Sequence, residues 1–282
     1  MDRKRQLDAH VEYIESNGLH SLIDFQENLD YEERAFDAVS ENAAISYPPE
    51  ASDLVRLHRL IRKRKPFTVL EFGLGYSTVV IADALEKNQK EWEALEDVPE
   101  IRNRFMFQLF SVDTSEKWIE TARGRFPAHL ASRVHFHHSE AKIGTFNGQL
   151  CHYYTNLPDI VPDFVYLDGP FPKDVQGTIN GLSFRCDERT VMSGDLLLME
   201  PTLLPGTFIL VDGRVNNARF LQRNFSREYE VSYHHEEDVT TFELKEERLG
   251  KYNLLGSDFF QNGRLSTHSN GHSNGLHNDA VR

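Results

Sequence analysis

The chain has 282 residues, enough for one large domain or two small ones, and 39% of them are hydrophobic. Its formal net charge of −13 argues against a general binder of nucleic-acid phosphates, which needs clustered Lys and Arg. The two cysteines, Cys151 and Cys186, are too few for a zinc site of their own and do not indicate a disulfide scaffold. No apolar stretch approaches the length of about 18 residues that marks a transmembrane helix. We therefore expect a cytoplasmic protein that binds neither nucleic acid nor membranes.

The first 66 residues favour helices that pack beside a sheet. Apolar residues recur at roughly helical spacing over residues 11–25. Ser52 or Asp53 can cap a further helix, which ends before Pro66. The pattern predicts an N-terminal helical cap.

A strand, a glycine turn and a helix follow. Residues 69–72 form an apolar run broken only by Glu71, Gly73 and Gly75 come next, and Ser77 and Thr78 open a segment that can be helical. Glycines let a backbone approach a ligand closely, and a helix start offers N–H groups. Thr78 stands where the dinucleotide motif G-x-G-x-x-G has its third glycine. The alternative is an ordinary strand-to-helix turn without a ligand.

A second strand over residues 105–113 ends in Asp113. A carboxylate at this place lies beside the glycine turn and can accept both hydroxyls of a ribose. The usual spacing from the turn is about twenty residues. Here Asp113 follows Gly75 by 38 positions (113 minus 75), and a charged insertion over residues 94–104 accounts for the excess. Asp113 can also serve as a helix N-cap, and both roles can hold together.

The third strand carries three histidines and is followed by Ser139 and Glu140. In a strand His135 and His137 point to one face and His138 to the other, so the pattern favours partly exposed histidines over a zinc site.

The next segment, residues 143–162, contains His152 and is predicted to be irregular. It leads into a buried strand that ends in Asp168, at the edge where ligands bind in open α/β sheets. The polar loop over residues 171–188 occupies a position that commonly shapes substrate specificity. Residues 190–204 are predicted to form a helix.

The chain closes with one more apolar strand and a strand pair. Residues 207–212 end in Asp212, and residues 229–233 and 239–244 alternate like two paired strands. Residues from 257 on are rich in Ser, Asn, Gly and His, which predicts disorder.

The Glu-x-Gly-x-Gly segment of residues 71–75, together with Asp113 and Asp168, resembles the class I S-adenosyl-L-methionine (SAM)-dependent methyltransferases. The resemblance covers about residues 50–245. It implies an α/β fold with a Rossmann-like seven-stranded sheet: five parallel strands and a terminal pair, the last strand antiparallel, with helices on both faces. The expected division is a helical cap (1–66), a methyltransferase domain (67–250) and a disordered tail (251–282).

The resemblance also implies which residues contact the cofactor SAM. They are Glu71, Gly73, Gly75, Ser77, Thr78, Asp113, Thr114, Ser139, Glu140 and Asp168.

Asp168 and Asp212 also match the two acids that hold Mg²⁺ in catechol-type O-methyltransferases. Gly213 replaces the Asn of that motif, so a metal at Asp168 and Asp212 stays one of several alternatives. Without a metal, Asp168, Asp212 or His152 would act as the general base. Alternatively, Asp212 only hydrogen-bonds Arg214 or Arg219 and so orders the loop that follows it.

The sequence therefore predicts a SAM-dependent O-methyltransferase for a small polar or saccharide-type acceptor, similar to proteins of surface-polysaccharide pathways. An NAD-dependent oxidoreductase is one alternative, and a catalytically silent partner protein with the same fold is another.

Overall fold

The computed structural model describes residues 3–23, 51–96, 101, 103–185 and 191–247. The strands are β1 Thr68–Phe72, β2 Gln108–Asp113, β3 Val134–His138, β4 Ala141–Phe146, β5 Gln149–Tyr154, β6 Phe164–Leu167, β7 Val175–Gln176, β8 Phe208–Asp212, β9 Tyr229–His234 and β10 Val239–Leu244. The α-helices are α1 Arg3–Ser16, α2 Ala51–Arg64, α3 Tyr76–Glu93, α4 Glu116–Arg125, α5 Asp195–Met199 and α6 Val215–Asn224.

Seven strands form one sheet in the order β3-β2-β1-β6-β8-β10-β9. The five from β3 to β8 run parallel, and β10 is antiparallel to both of its neighbours. The seven-stranded Rossmann-like sheet with an antiparallel last strand is thereby confirmed.

Helices cover both faces of this sheet. On one face, Leu57 of α2 and Leu85 of α3 belong to a core cluster that includes Val69 of β1. On the other face, Leu196 of α5 and Leu221 of α6 belong to a second core cluster. Strands buried on both faces explain why the sequence shows continuous apolar runs here rather than alternation.

The sheet order reverses direction between β1 and β6. From β1 the chain moves outward to β2 and β3, whereas β6 continues to β8 on the other side. Open α/β sheets bind ligands at such a switch point, outside the carboxyl ends of the strands. The site is therefore expected where the turns after β1 and β6 meet.

The prediction of an irregular segment over residues 143–162 was wrong for residues 143–154 and holds for residues 155–162. Strands β4 and β5 form a hairpin, and β7 pairs with β4 to complete a separate three-stranded sheet. The turn residues Asn147 and Gly148 both have positive φ, 47° and 73°. Asn-Gly with two positive φ angles is the favoured two-residue hairpin turn, and this dipeptide was the signal that could have revealed the hairpin.

The predicted helix over residues 190–204 was too long. Of the described residues 191–204, only Asp195–Met199 is α-helical, and a short 3₁₀ turn, Glu200–Thr202, follows it. Pro201 lies in that turn, where it cannot donate a backbone hydrogen bond to continue the helix.

The N-terminal helices α1 and α2 lie where helical segments were predicted. The division into cap, domain and tail stays a prediction, because residues 24–50 and 248–282 lie outside the described part of the chain. The disorder predicted from residue 257 on concerns that same stretch. Among the helices described, none combines the length and the apolar character needed to cross a membrane.

Candidate functional site

The two turns at the switch point touch through glycines. Gly73 has φ +97°, and a Cβ atom on it would lie 3.0 Å from the backbone nitrogen of Gly169. A Cβ on Gly169 would lie 2.7 Å from the nitrogen of Gly73. Both positions therefore require glycine, since a side chain on either would push the turns apart.

Gly75 has a different environment. Its backbone is extended, with φ −163°, and it precedes the first residue of α3. A Cβ on Gly75 would meet only the Ser77 hydroxyl, at 3.7 Å. The space beside Gly75 is thus open, as a turn that lies against a ligand requires.

Glu71 holds the glycine turn together from inside. Its carboxylate is fully buried and accepts hydrogen bonds from Ser77 Oγ at 2.5 Å, Thr78 Oγ1 at 2.7 Å and Ser111 Oγ at 2.6 Å. Burial raises the pKa of Glu71 to about 7, against the lowering effect of these three donors. The side chains of Glu71, Ser77 and Thr78 therefore bind one another, and their predicted contact with a cofactor stays a prediction.

Asp113 lies at the carboxyl end of β2, beside the glycine turn. Its oxygens accept from the backbone nitrogens of Leu74, at 3.0 Å, and Ser115, at 2.8 Å. The N-cap of α4 is Ser115, whose hydroxyl accepts from Trp118 N, so Asp113 is not the cap. Burial raises the pKa of Asp113 to about 6. Each carboxylate oxygen has a second lone pair, so the group can still accept two hydroxyl donors.

The residues predicted after β3 are split between the interior and the surface. Ser139 is buried, and its hydroxyl accepts from Asn156 N at 2.9 Å. Glu140 is exposed and pairs with Lys142 at 3.1 Å. The hydrogen bond from Lys142 lowers the pKa of Glu140. Glu140 therefore faces the outer rim of the site.

The strand histidines have separate partners. His135 Nε2 lies 3.0 Å from Gln108 Oε1, His137 Nε2 lies 3.0 Å from a backbone oxygen, and His138 Nε2 lies 3.2 Å from another. Among the residues the structure describes, no group of three or more His, Cys, Asp or Glu is arranged to hold a metal ion.

A segment that we call the strap, residues 169–177, runs from the end of β6 across the neighbouring strand ends to β4. Asp174 accepts from the Thr114 hydroxyl at 2.8 Å, and Val175 pairs with Ala141. A cavity of about 480 Å³ opens beside it. Its lining is Thr114, Glu140, Lys173, Asp174, Gln176, Gly177 and Arg185. Thr114 and Glu140 were predicted as cofactor contacts, and the other lining residues belong to the 171–188 loop that was predicted to shape substrate specificity.

Arg214 fixes the turn that carries Asp168. The guanidinium is almost completely buried, donates to the backbone oxygens of Asp168 and Pro170, and lies 3.5 Å from the Asp168 carboxylate. The Asp168 side chain nevertheless remains 38% exposed. It is thus a carboxylate at the switch point that solvent or a ligand can reach.

Asp212 is bound to other groups. It accepts from Tyr166 OH at 2.5 Å and from Arg56 of α2 at 3.4 Å, and its side chain is only 14% exposed. The sequence pattern could not reveal Arg56, which lies 156 positions away. Asp168 and Asp212 end adjacent strands but are paired with different arginines, which is a poor arrangement for a shared cation.

His152 lies in β5 with its ring fully buried. Burial and the nearby charge of Arg214 lower its pKa to about 3. The imidazole is therefore neutral near pH 7, and a group with so low a pKa is a weak general base.

No protein-family model matches the chain, and the search of curated proteins gives no significant match. Among solved structures, the O-methyltransferase TomG from Streptomyces achromogenes with SAM is 17% identical over 70% of this chain and 81% of its own, with a TM-score of 0.40. The O-methyltransferase from Bacillus cereus with S-adenosylhomocysteine (SAH) is 14% identical over 85% and 91%, with a TM-score of 0.41. The SAH-bound Podospora anserina methyltransferase PaMTH1 is 16% identical over 85% and 88%, with a TM-score of 0.42. These values are too low to transfer an activity.

Proposed function

We propose that this protein is a SAM-dependent methyltransferase that acts on a hydroxyl of a small polar or saccharide-type acceptor. The observation that carries the proposal is the pairing of an open glycine turn at Gly75 with the Asp113 carboxylate at the end of the neighbouring strand. Both lie at the switch point of the sheet, where such folds bind ligands.

The residues present fit SAM. The backbone at Gly75 leaves room for a ligand, and the Asp113 oxygens retain acceptor capacity for ribose hydroxyls. The cavity beside the strap adjoins Thr114 and Glu140, which would flank the adenosine portion. When bound, SAM supplies a methyl group already activated on a sulfonium, so the protein's main task is to hold the acceptor oxygen in line with it.

Asp168 is the best placed of the three candidate bases. Its carboxylate is 38% exposed, whereas the Asp212 side chain is 14% exposed and His152 is fully buried. Arg214 orders the Asp168 turn through two backbone oxygens, so the carboxylate would be held at the switch point to take a proton from the acceptor hydroxyl. Asp212, bound to Tyr166 and Arg56, would order the adjacent turn.

A Mg²⁺-dependent version is the weaker variant of this proposal. The Asp168 and Asp212 carboxylates would have to leave their arginine partners to converge on one cation. A cytoplasmic location, which the lack of a long apolar stretch in the sequence predicts, and a role in polysaccharide synthesis, which the resemblance implies, belong to the proposal as well.

Calorimetric titration with SAM, SAH and NAD, each with and without Mg²⁺, tests the proposal. We expect SAM and SAH to bind and NAD not to bind. Transfer of labelled methyl from SAM to a panel of sugars, sugar nucleotides and catechols then follows, with and without a chelator. Failure to bind SAM would remove the proposal, and NAD binding in its place would favour an oxidoreductase. SAM binding without transfer to any acceptor would favour a silent partner protein. Transfer that a chelator abolishes would restore the metal variant.

A further inference from the structure

The strap, residues 169–177, is held at both of its ends. At its start, the buried Arg214 guanidinium donates to the backbone oxygen of Pro170 at 3.1 Å. Near its end, Val175 is fully buried in the core and pairs with β4. Because both ends are fixed, the short 3₁₀ turn Pro172–Asp174 between them is held at a defined place along the strand ends.

This turn brings Asp174 close to Asp113, the proposed ribose-binding acid. One carboxylate oxygen of Asp174 accepts from the Thr114 hydroxyl at 2.8 Å. Thr114 directly follows Asp113, and Cα atoms of consecutive residues are about 3.8 Å apart. Burial is the main cause of the raised pKa of Asp113, and the charge of Asp174 raises this pKa further. Two carboxylates from distant parts of the chain therefore lie close enough to interact.

Both carboxylates can accept further hydrogen bonds. The Asp174 side chain is exposed and receives only the hydrogen bond from Thr114 among the contacts between described residues. Asp113 is partly exposed, and each of its oxygens accepts one backbone N–H and keeps a second lone pair. Two ionised carboxylates repel each other, so hydroxyl donors that bind both of them would stabilise the pair.

The cavity beside the strap gives a ligand access to Asp174. Its volume of about 480 Å³ lies in the range of small-molecule sites. The lining contains equal numbers of acids, Glu140 and Asp174, and of cations, Lys173 and Arg185. A polar lining without an excess of positive charge suits an uncharged, hydroxyl-bearing group better than a phosphate.

We propose that Asp174 is a second ribose-binding residue, which shares the two hydroxyls of the cofactor's ribose with Asp113. The ligand class is a ribonucleoside whose 2′ and 3′ hydroxyls are both free, because each hydroxyl can donate to a carboxylate. A phosphate on either hydroxyl would be repelled by both acids. The inference rests on the proposed methyltransferase function and adds a residue of the strap to its cofactor site.

Calorimetric titration of SAH into wild type and Asp174→Asn tests the inference, with Asp159→Asn as the control for an exposed charge. The asparagine oxygen can still accept from Thr114, so the substitution keeps the strap in place and removes the charge and one acceptor. Asp174→Asn should leave the unfolding free energy within about 1 kcal/mol of wild type, because the side chain is exposed. It should weaken SAH binding about 5- to 20-fold, the value of one hydrogen bond, whereas Asp159→Asn should bind SAH like wild type.

The 2′-deoxy and 3′-deoxy analogues of SAH separate a direct contact from a structural role. With the analogue that lacks the hydroxyl bound by Asp174, Asp174→Asn should change the affinity by less than about twofold. With the other analogue, the full loss should remain. Equal losses for SAH and both analogues would show that Asp174 acts only by holding the strap, and this would overturn the inference.

The outcomes for the function and for the inference are distinguishable. Wild type that does not bind SAH would remove the methyltransferase function, and the inference with it. Wild type that binds SAH while Asp174→Asn binds it equally well would overturn the inference alone.

Discussion

Replacing Glu71 by Gln should change how the stability of this protein depends on pH. The Glu71 carboxylate is fully buried and is surrounded by the hydroxyls of Ser77, Thr78 and Ser111. A glutamine has the same shape and can accept with its oxygen and donate with its nitrogen, because a hydroxyl can turn to accept. It differs from glutamate in carrying no charge at any pH.

The magnitude follows from the pKa of Glu71, which burial raises from its ordinary value of 4.5 to about 7. Because the folded protein binds this proton more tightly than the unfolded chain, the contribution is fully present below pH 4.5 and is lost as the pH rises through 7. Integration between pH 5 and pH 8 gives a loss of about 2.5 kcal/mol in wild type from this one group. The Gln variant does not have this loss.

Urea unfolding of both proteins at pH 5 and pH 8 measures the effect. The difference in unfolding free energy between Glu71→Gln and wild type should shift by about 2.5 kcal/mol in favour of the variant on going to pH 8. Glu120→Gln, on the exposed side of α4, controls for the loss of one negative charge. The unfolding free energy of this control should change between pH 5 and pH 8 by the same amount as that of wild type. Parallel pH profiles for Glu71→Gln and wild type would refute the reasoning that a buried, partly protonated carboxyl holds the turn.

The other predictions concern the glycine turns and the N-terminal helix. Gly73→Ala should destabilise the protein by about 1–3 kcal/mol in urea unfolding, because it combines φ +97° with a Cβ that lies 3.0 Å from Gly169 N. Gly75→Ala should leave stability within about 1 kcal/mol but weaken SAM binding at least tenfold by calorimetry, since its Cβ would enter the open space of the turn. Equal stability of the two alanine variants would contradict this difference. Tyr13→Phe removes a 2.7 Å hydrogen bond to the buried His58 and should cost about 1 kcal/mol of unfolding free energy; no change in the urea midpoint would mean that α1 is not anchored there.

Local sequence patterns predicted the sheet and the glycine turn because the underlying forces are local. Residues 69–72 are apolar apart from Glu71 and are buried on both faces, and Gly73 occupies a backbone conformation that other residues rarely adopt. A parallel sheet could be predicted because five apolar strands alternate with helical segments.

The side-chain partners at the site were not predictable in the same way. The Asp212 carboxylate binds Arg56, and the Asp168 turn binds Arg214, through contacts that only the folded chain creates. The burial of His152 depends on a hairpin that the irregular-segment prediction missed, although its Asn-Gly turn is a strong local signal. The acids that end the strands could be found from the sequence, but their partners required the structure.

The central claim is that SAM binds between the glycine turn and Asp113. Calorimetric titration of SAM into wild type and Asp113→Asn, with Asp159→Asn as an exposed control, tests it most directly. Because ribose hydroxyls donate more strongly to a carboxylate than to an amide oxygen, Asp113→Asn should weaken SAM binding at least tenfold in a variant that still unfolds cooperatively. Asp159→Asn should bind SAM like wild type. Wild type that does not bind SAM, or SAM binding that is the same in Asp113→Asn and wild type, would contradict the claim.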